Sequence, residues 1–290
     1  MNTLKRLYIV YLFATVSLGI SSCAEKNEKE INLTNEVVQA EVKMSEYDTI
    51  ENYEFVPPST LQVASIFKKA GLIYNAKLTN SRKKVEDYSS KFEQSLAFGI
   101  YSSDLTYSVV HEKYDQAADF LKTLRILGNK IGLETVFNSE DLIERFDRNI
   151  GIQDSIIDIL IYVQDNTDKY IEENGKVDLS VIYYTGAWVE GMYLGANTIM
   201  EDENRKTGVL ISEQMTIAEI LLEGLEHIKG KDDEILDLID TIRDLVSTFH
   251  ELESVKNIRN QVDYVDFSLS KEEASLISSK IIELRETIVH

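Results

Sequence analysis

Sulfur, proline and positive charge are what this chain has least of. One cysteine, Cys23, stands in 290 residues, which excludes an intrachain disulfide and any cysteine-rich metal site. The two prolines, Pro57 and Pro58, are adjacent, so nothing after them is broken by proline chemistry and long helices are open to the rest of the chain. Lys and Arg number 30 against 50 Asp and Glu, a formal net charge of -20. Nucleic acid and anionic lipid are bound through clusters of Lys and Arg, so a chain this acidic repels both, and nucleic acid is excluded as a partner. Four scattered histidines, His111, His227, His250 and His290, make no H-E-x-x-H or E-x-x-H pairing, and neither a metal nor a cofactor is expected. Walker A, G-x-G-x-x-G and G-x-S-x-G patterns are missing as well. No reaction is named by any of this.

Near the N-terminus, Lys5 and Arg6 precede a mostly apolar segment, 7–16, and small residues then run up to Cys23. This reads as a secretory signal peptide over residues 1–22, since a membrane span needs about 20 apolar residues. Gly19, Ile20, Ser21, Ser22 and Cys23 resemble the lipobox of bacterial lipoproteins, in which lipid is attached to the cysteine sulfur before cleavage on its N-terminal side. The alternative is a signal peptide that happens to carry a cysteine near its end. A reactive thiol would want a positively charged, enclosed setting, and Cys23 leads into an acidic tail. The resemblance implies a lipid anchor on Cys23; each buried methylene is worth about 0.8 kcal/mol, so several acyl chains leave the fold needing no membrane surface of its own. Ala24 in place of aspartate, by resemblance to the enterobacterial sorting rule, argues against inner-membrane retention. Residues 25–30 mix acids and lysines as the export signals of surface-exposed Bacteroidota lipoproteins do. The expected location is the outer membrane, at the cell surface or on its periplasmic face. Loss of residues 1–22 removes Lys5 and Arg6 and no acid, taking the net charge to -22.

Residues 23–56 are polar, rich in Glu and Asn, and read as a tether to a helical domain over 57–290. Ser59 is a candidate N-cap before the periodic run PSTLQVASIFKKAGLIYN, with Gly71 closing that helix or lying within it. Helical patterns follow at about 84–111, 114–131 with Gly132 past its end, a short one opened by Ser139, then 153–173, 178–200, 213–228, 232–255 and 270–288. Gly175, Gly208 and Gly230 mark turns. The fold class is all-α, stacked antiparallel helical hairpins in one domain. A faint echo between LAFGIYSSDLTYSVV and IYYTGAWVEGMYLGA sets Asp104 against Glu190 and Tyr107 against Tyr193, as an internal two-fold repeat would. The fixed 34-residue period of a tetratricopeptide array is missing.

PSTLQVASIFKKAGLIYN, LAFGIYSSDLTYSVV and GAWVEGMYLG, in that order behind a lipobox, resemble a group of uncharacterised all-helical lipoproteins of Bacteroidota. The similarity runs over about 57–225. It implies an exported, lipidated, helical protein and carries no activity.

Three stretches could carry chemistry. Asp104, Ser108 and His111 share a helix face, but Asp104 and His111 lie about 10 Å apart along the axis, too far for the linked hydrogen bonds of a hydrolase triad. Asp104 and Glu190 each interrupt an apolar, small-residue stretch. If their helices pack together, one carboxyl holds its proton more tightly, and the pair could bind a cation or do acid-base work; otherwise both face solvent, or each bonds a tyrosine such as Tyr107 or Tyr193. Gly186, Gly191 and Gly195, with Ala187 and Ala196, fill one helix with small residues at about 1 kcal/mol per glycine. Either a neighbouring helix approaches closely, or a ligand lies on the bare backbone between Trp188, Tyr183, Tyr184 and Tyr193. The ligand-binding candidates are therefore Trp188, Glu190, Tyr193, Asp104 and Tyr107. Asp followed by Ser or Thr and an aliphatic residue, which resembles the O-glycosylation signal of Bacteroidota, occurs at Thr49, Ser155 and Thr241; only Thr49, in the tether, is expected to be accessible.

The expected role is non-catalytic binding or scaffolding in the cell envelope, held at the membrane through the lipid on Cys23, with a basic envelope protein or a cation as partner. The alternatives are an envelope enzyme using Asp104 and Glu190 and a purely structural lipoprotein.

Overall fold

A computed structural model describes residues 59–137, 141–202, 205–259 and 269–289. The signal segment, the tether, Cys23, Thr49 and Ser139 lie outside the described residues. Within these there are eleven α-helices and no strand: α1 (Thr60–Lys69), α2 (Lys91–Val110), α3 (Tyr114–Ile131), α4 (Glu134–Phe137), α5 (Leu142–Arg148), α6 (Gln153–Glu173), α7 (Val177–Asp202), α8 (Arg205–His227), α9 (Asp233–Glu251), α10 (Glu253–Arg259) and α11 (Lys271–Ile288).

Serines open three of them. Ser59, Ser90 and Ser270 each accept the backbone N–H three residues on, and Gln62, Glu93 and Glu273 return the bond to the cap backbone; each pair satisfies two N–H groups the first turn leaves free. The box at Ser90 moves the start of α2 from the expected 84 to Lys91, leaving Arg82–Glu86 as a 3-10 turn. Gly71, at φ 106, stands past the end of α1, and Gly132, at φ 85, caps α3 in the left-handed conformation. Gly175 and Gly230 occupy turns at positive φ, whereas Gly208 lies inside α8, which begins at Arg205. The expected helix over 232–255 stops at Glu251, where Leu252 turns extended (φ -60, ψ 140) before α10. The four-residue α4 is too short to leave a periodic signal.

Two helices form the centre. Nearly every residue from Ser95 to Val110 of α2 is buried, and in α7 all of 180–192 are, the pattern of helices enclosed on all sides. α3 packs on α2, α8 packs on α7, and α2 meets α7 between them, so two hairpins stack through their inner helices. α1 lies over α2, α7 and α8; α11 packs on α7 and α9.

The α2–α7 crossing is a contact of backbones. A Cβ added at Gly99 would stand 1.8 Å from the Tyr183 carbonyl oxygen, and one at Gly186 would stand 2.2 Å from that of Leu96. The small-residue helix thus has its explanation in helix packing: Gly186 meets α2, while Gly191 and Gly195 meet Val63 and Phe67 of α1. The Ser103 hydroxyl donates to the Ala187 carbonyl at 2.6 Å beside the crossing. A connector, residues 70–90, folds over the outer face of α2. It is held there by Tyr101, whose hydroxyl donates to Ser81 O at 2.7 Å, and by Tyr107, which accepts from Asn75 N at 2.7 Å and donates to Ile73 O at 2.9 Å.

Candidate functional site

One turn beyond the glycine crossing, α2 and α7 bring Asp104 and Glu190 together. Both are fully buried, at 0% exposure, and the two carboxyl groups are within hydrogen-bonding reach of each other. α11 contributes the third member. Arg285 lays its guanidinium fork on Glu190, with Nε donating to Oε2 at 2.9 Å and Nη2 to Oε1 at 3.2 Å, the bidentate geometry that binds carboxylates best. The Arg285 guanidinium also sits 4.5 Å from the centre of the Tyr193 ring, a favourable cation–π arrangement. From the connector, the Asn80 backbone N–H donates to Asp104 Oδ2 at 2.9 Å, and the Asn80 side-chain amide donates to the Tyr88 hydroxyl at 2.8 Å.

Burial sets the electrostatics. It pushes Asp104 well above the ordinary carboxyl range, and the charge of Glu190 pushes further in the same direction. Burial raises Glu190 too, but Arg285 opposes that rise, so of the two carboxyls Glu190 is the one whose charged form the fork favours. The centre is not open to solvent: both acids are sealed, and the Arg285 side chain is 11% exposed. A solute would meet these oxygens only if the connector or α11 moved.

The other expected site residues fall elsewhere. Tyr107 commits its hydroxyl to the connector. Trp188 is buried beneath α1, its Nε1 without a partner, beside an apolar cavity of about 10 Å³ whose walls include Val63, Ala187 and Leu221, space on the order of a single water. The Tyr183 and Tyr184 rings stack at 4.3 Å, and their hydroxyls donate to Asp168 of α6 at 2.6 and 3.0 Å. These aromatics are core and interhelical contacts of the bundle. Along the Asp104, Ser108, His111 face the acid bonds Asn80, while Ser108 Oγ and His111 Nε2 are buried without hydrogen-bond partners. Burial, with Lys68 and Lys113 close by, lowers His111 to about 4. Thr241 departs from expectation: it is exposed on the solvent face of α9, its hydroxyl donating to Asp237 O at 2.8 Å, while Ser155 is half-buried.

Arg285 and Asn80 were not among the residues the sequence singled out. Arg285 had a signal, since it continues the buried stripe Ile277, Ile281 in steps of four, where a charged residue asks for a buried partner. Asn80 acts through its backbone, which no residue type announces. Among the described residues no cluster of three or more His, Cys, Asp or Glu could hold a metal ion, and no helix is long and apolar enough to cross a membrane. The chain matches no family model, no curated protein and no solved structure.

Proposed function

We propose that this protein is a lipid-anchored component of the cell envelope, held at the outer membrane through Cys23, with a non-catalytic binding or scaffolding role as an accessory subunit. The observation that carries the non-catalytic part is the use made of the charge cluster between α2, α7 and α11. Arg285 of α11 lays its fork on Glu190 of α7, Asp104 of α2 lies within reach of Glu190, and both acids are sealed, which is the work of a structural cross-link. The anchored part rests on the lipobox resemblance around Cys23 and on the likeness to Bacteroidota lipoproteins. A net charge of -20 supports a partner with a basic face.

Cross-linked pull-down of tagged full-length protein from native outer membrane, with Cys23→Ala as the unanchored control, tests this. A stoichiometric protein partner that depends on Cys23 supports the accessory-subunit reading. Recovery of the protein alone refutes it. The pairing of Asp104 with Glu190 favours a second reading, an envelope enzyme using that pair; it predicts an envelope glycan, lipid or cation whose binding to the helical domain is lost in Glu190→Gln.

A further inference from the structure

The hydrogen bonds around the buried pair close except at one atom. Both Glu190 oxygens accept from Arg285, and Asp104 Oδ2 accepts from Asn80. Asp104 Oδ1 has no donor and is buried too completely for a water to touch it. An unmet acceptor of this kind costs about 1–3 kcal/mol, more when charged. An ionised carboxylate can only accept, so two of them in mutual reach repel, whereas one proton between them makes a hydrogen bond.

We propose that the folded protein holds a proton on Asp104 Oδ1, donated to Glu190, and that this proton is a clamp between α2 and α7 which alkali releases. Asp104 neutral, Glu190 negative and Arg285 positive sum to zero charge. Around them, α2 supplies Tyr101, the connector supplies Tyr74 and Tyr88, α7 supplies Tyr193, and α11 supplies Glu286 beside Arg285. Among the described residues Arg285 is the one cation bonded to the pair, and its fork is already spent on Glu190. Losing the proton therefore leaves a second negative charge with no cation of its own, and replaces a hydrogen bond between the two central helices by repulsion.

In the unfolded chain Asp104 is ionised above the ordinary carboxyl range, while the folded chain still carries the proton. Over that window the folded state binds one proton more, so the contribution of Asp104 to stability is fully present below the ordinary carboxyl range and is lost as pH rises, by up to tenfold in the folding constant per pH unit. Asp104→Asn is the matching probe. Its amide donates to Glu190, its carbonyl accepts from Asn80, and it does not titrate.

Denaturant unfolding of the helical domain between pH 5 and 9 compares the two proteins, and carbon NMR of the Asp104 carboxyl reads the proton directly in the wild type. The expected result is a wild type that loses stability with pH relative to an Asp104→Asn protein, and an Asp104 carboxyl that is neutral at pH 7. Parallel pH curves, or an Asp104 carboxyl already ionised at pH 7, would overturn the proposal. Should Asp104→Asn not fold, the NMR measurement decides alone.

Discussion

Alanine at Gly99 tests the claim that backbone contact between α2 and α7 organises the bundle. The added carbon would stand 1.8 Å from Tyr183 O and 2.6 Å from Ala187 N, where ordinary contact begins at 3.4 Å. Both neighbours are backbone in a buried helix, so relief requires the helices to part by roughly 1.6 Å, the shortfall from ordinary contact. A radial gap of about 0.5–1 Å already forfeits a quarter to a half of the dispersion attraction between facing atoms. The Ser103 to Ala187 hydrogen bond, at 2.6 Å beside the crossing, would break at about 1 kcal/mol, and the Asp104–Glu190 contact lies one turn further. Overpacking itself costs about 1–3 kcal/mol or more. Against this, alanine in place of glycine returns about 1 kcal/mol of helix propensity. The net expectation is a loss of about 1–3 kcal/mol or more, a substantial part of the roughly 5–15 kcal/mol a domain has. Gly191→Ala is the internal control: its carbon meets the side chain of Val63, whose nearest methyl stands at 3.0 Å, and the change should stay within about 1 kcal/mol of wild type by the same balance. Urea unfolding of both variants at constant m-value measures the difference. A Gly99→Ala protein as stable as wild type, or Gly191→Ala the worse of the two, would refute the reasoning.

Arg285→Met leaves Glu190 buried without its counter-charge and should cost about 3–5 kcal/mol, with the loss growing as pH rises because the folded state must then take up a further proton; thermal unfolding against pH reads both. Tyr107→Phe removes the bonds to Ile73 O and Asn75 N and should cost about 1–2 kcal/mol, with faster amide exchange confined to the connector. His111, lowered to about 4 by burial and neighbouring lysines, stays neutral in the folded chain while the unfolded chain gains a proton near 6.5. Stability should therefore fall as pH drops from about 6.5 to about 4, and His111→Gln should flatten that acid limb in denaturant titrations.

Where local chemistry decides, the sequence could be read to the residue. Ser59 and Gly132 sit at the helix ends expected of them, because a cap is a matter of a few neighbours. The start of α2 was not legible in the same way. The apolar pattern continues back to residue 84, and only the reciprocal bond between Ser90 and Glu93 selects a later start; the preceding residues then serve the connector, whose hydrogen bonds go to α2 residues up to 34 positions away. Gly208 shows the converse, since glycine permits a turn but does not require one.

The same division runs through the site. Asp104 and Glu190 announced themselves because an acid inside a small, apolar helix must find a partner or face water, and their equivalent places on the two central helices made each the other's candidate. What pattern could not supply was the third partner, because pairing is a tertiary fact. Arg285 is 95 residues from Glu190, and its place on the buried face of α11 says only that it needs an anion. Three members rather than two change the chemistry. Two buried acids alone would both tend to protonate; with one arginine spent on Glu190, a single proton on Asp104 is what brings the cluster to zero charge and turns the orphaned oxygen of Asp104 into a donor. The acids that looked most like a reactive pair are thereby the best candidates for the bond that ties the bundle's two central helices together.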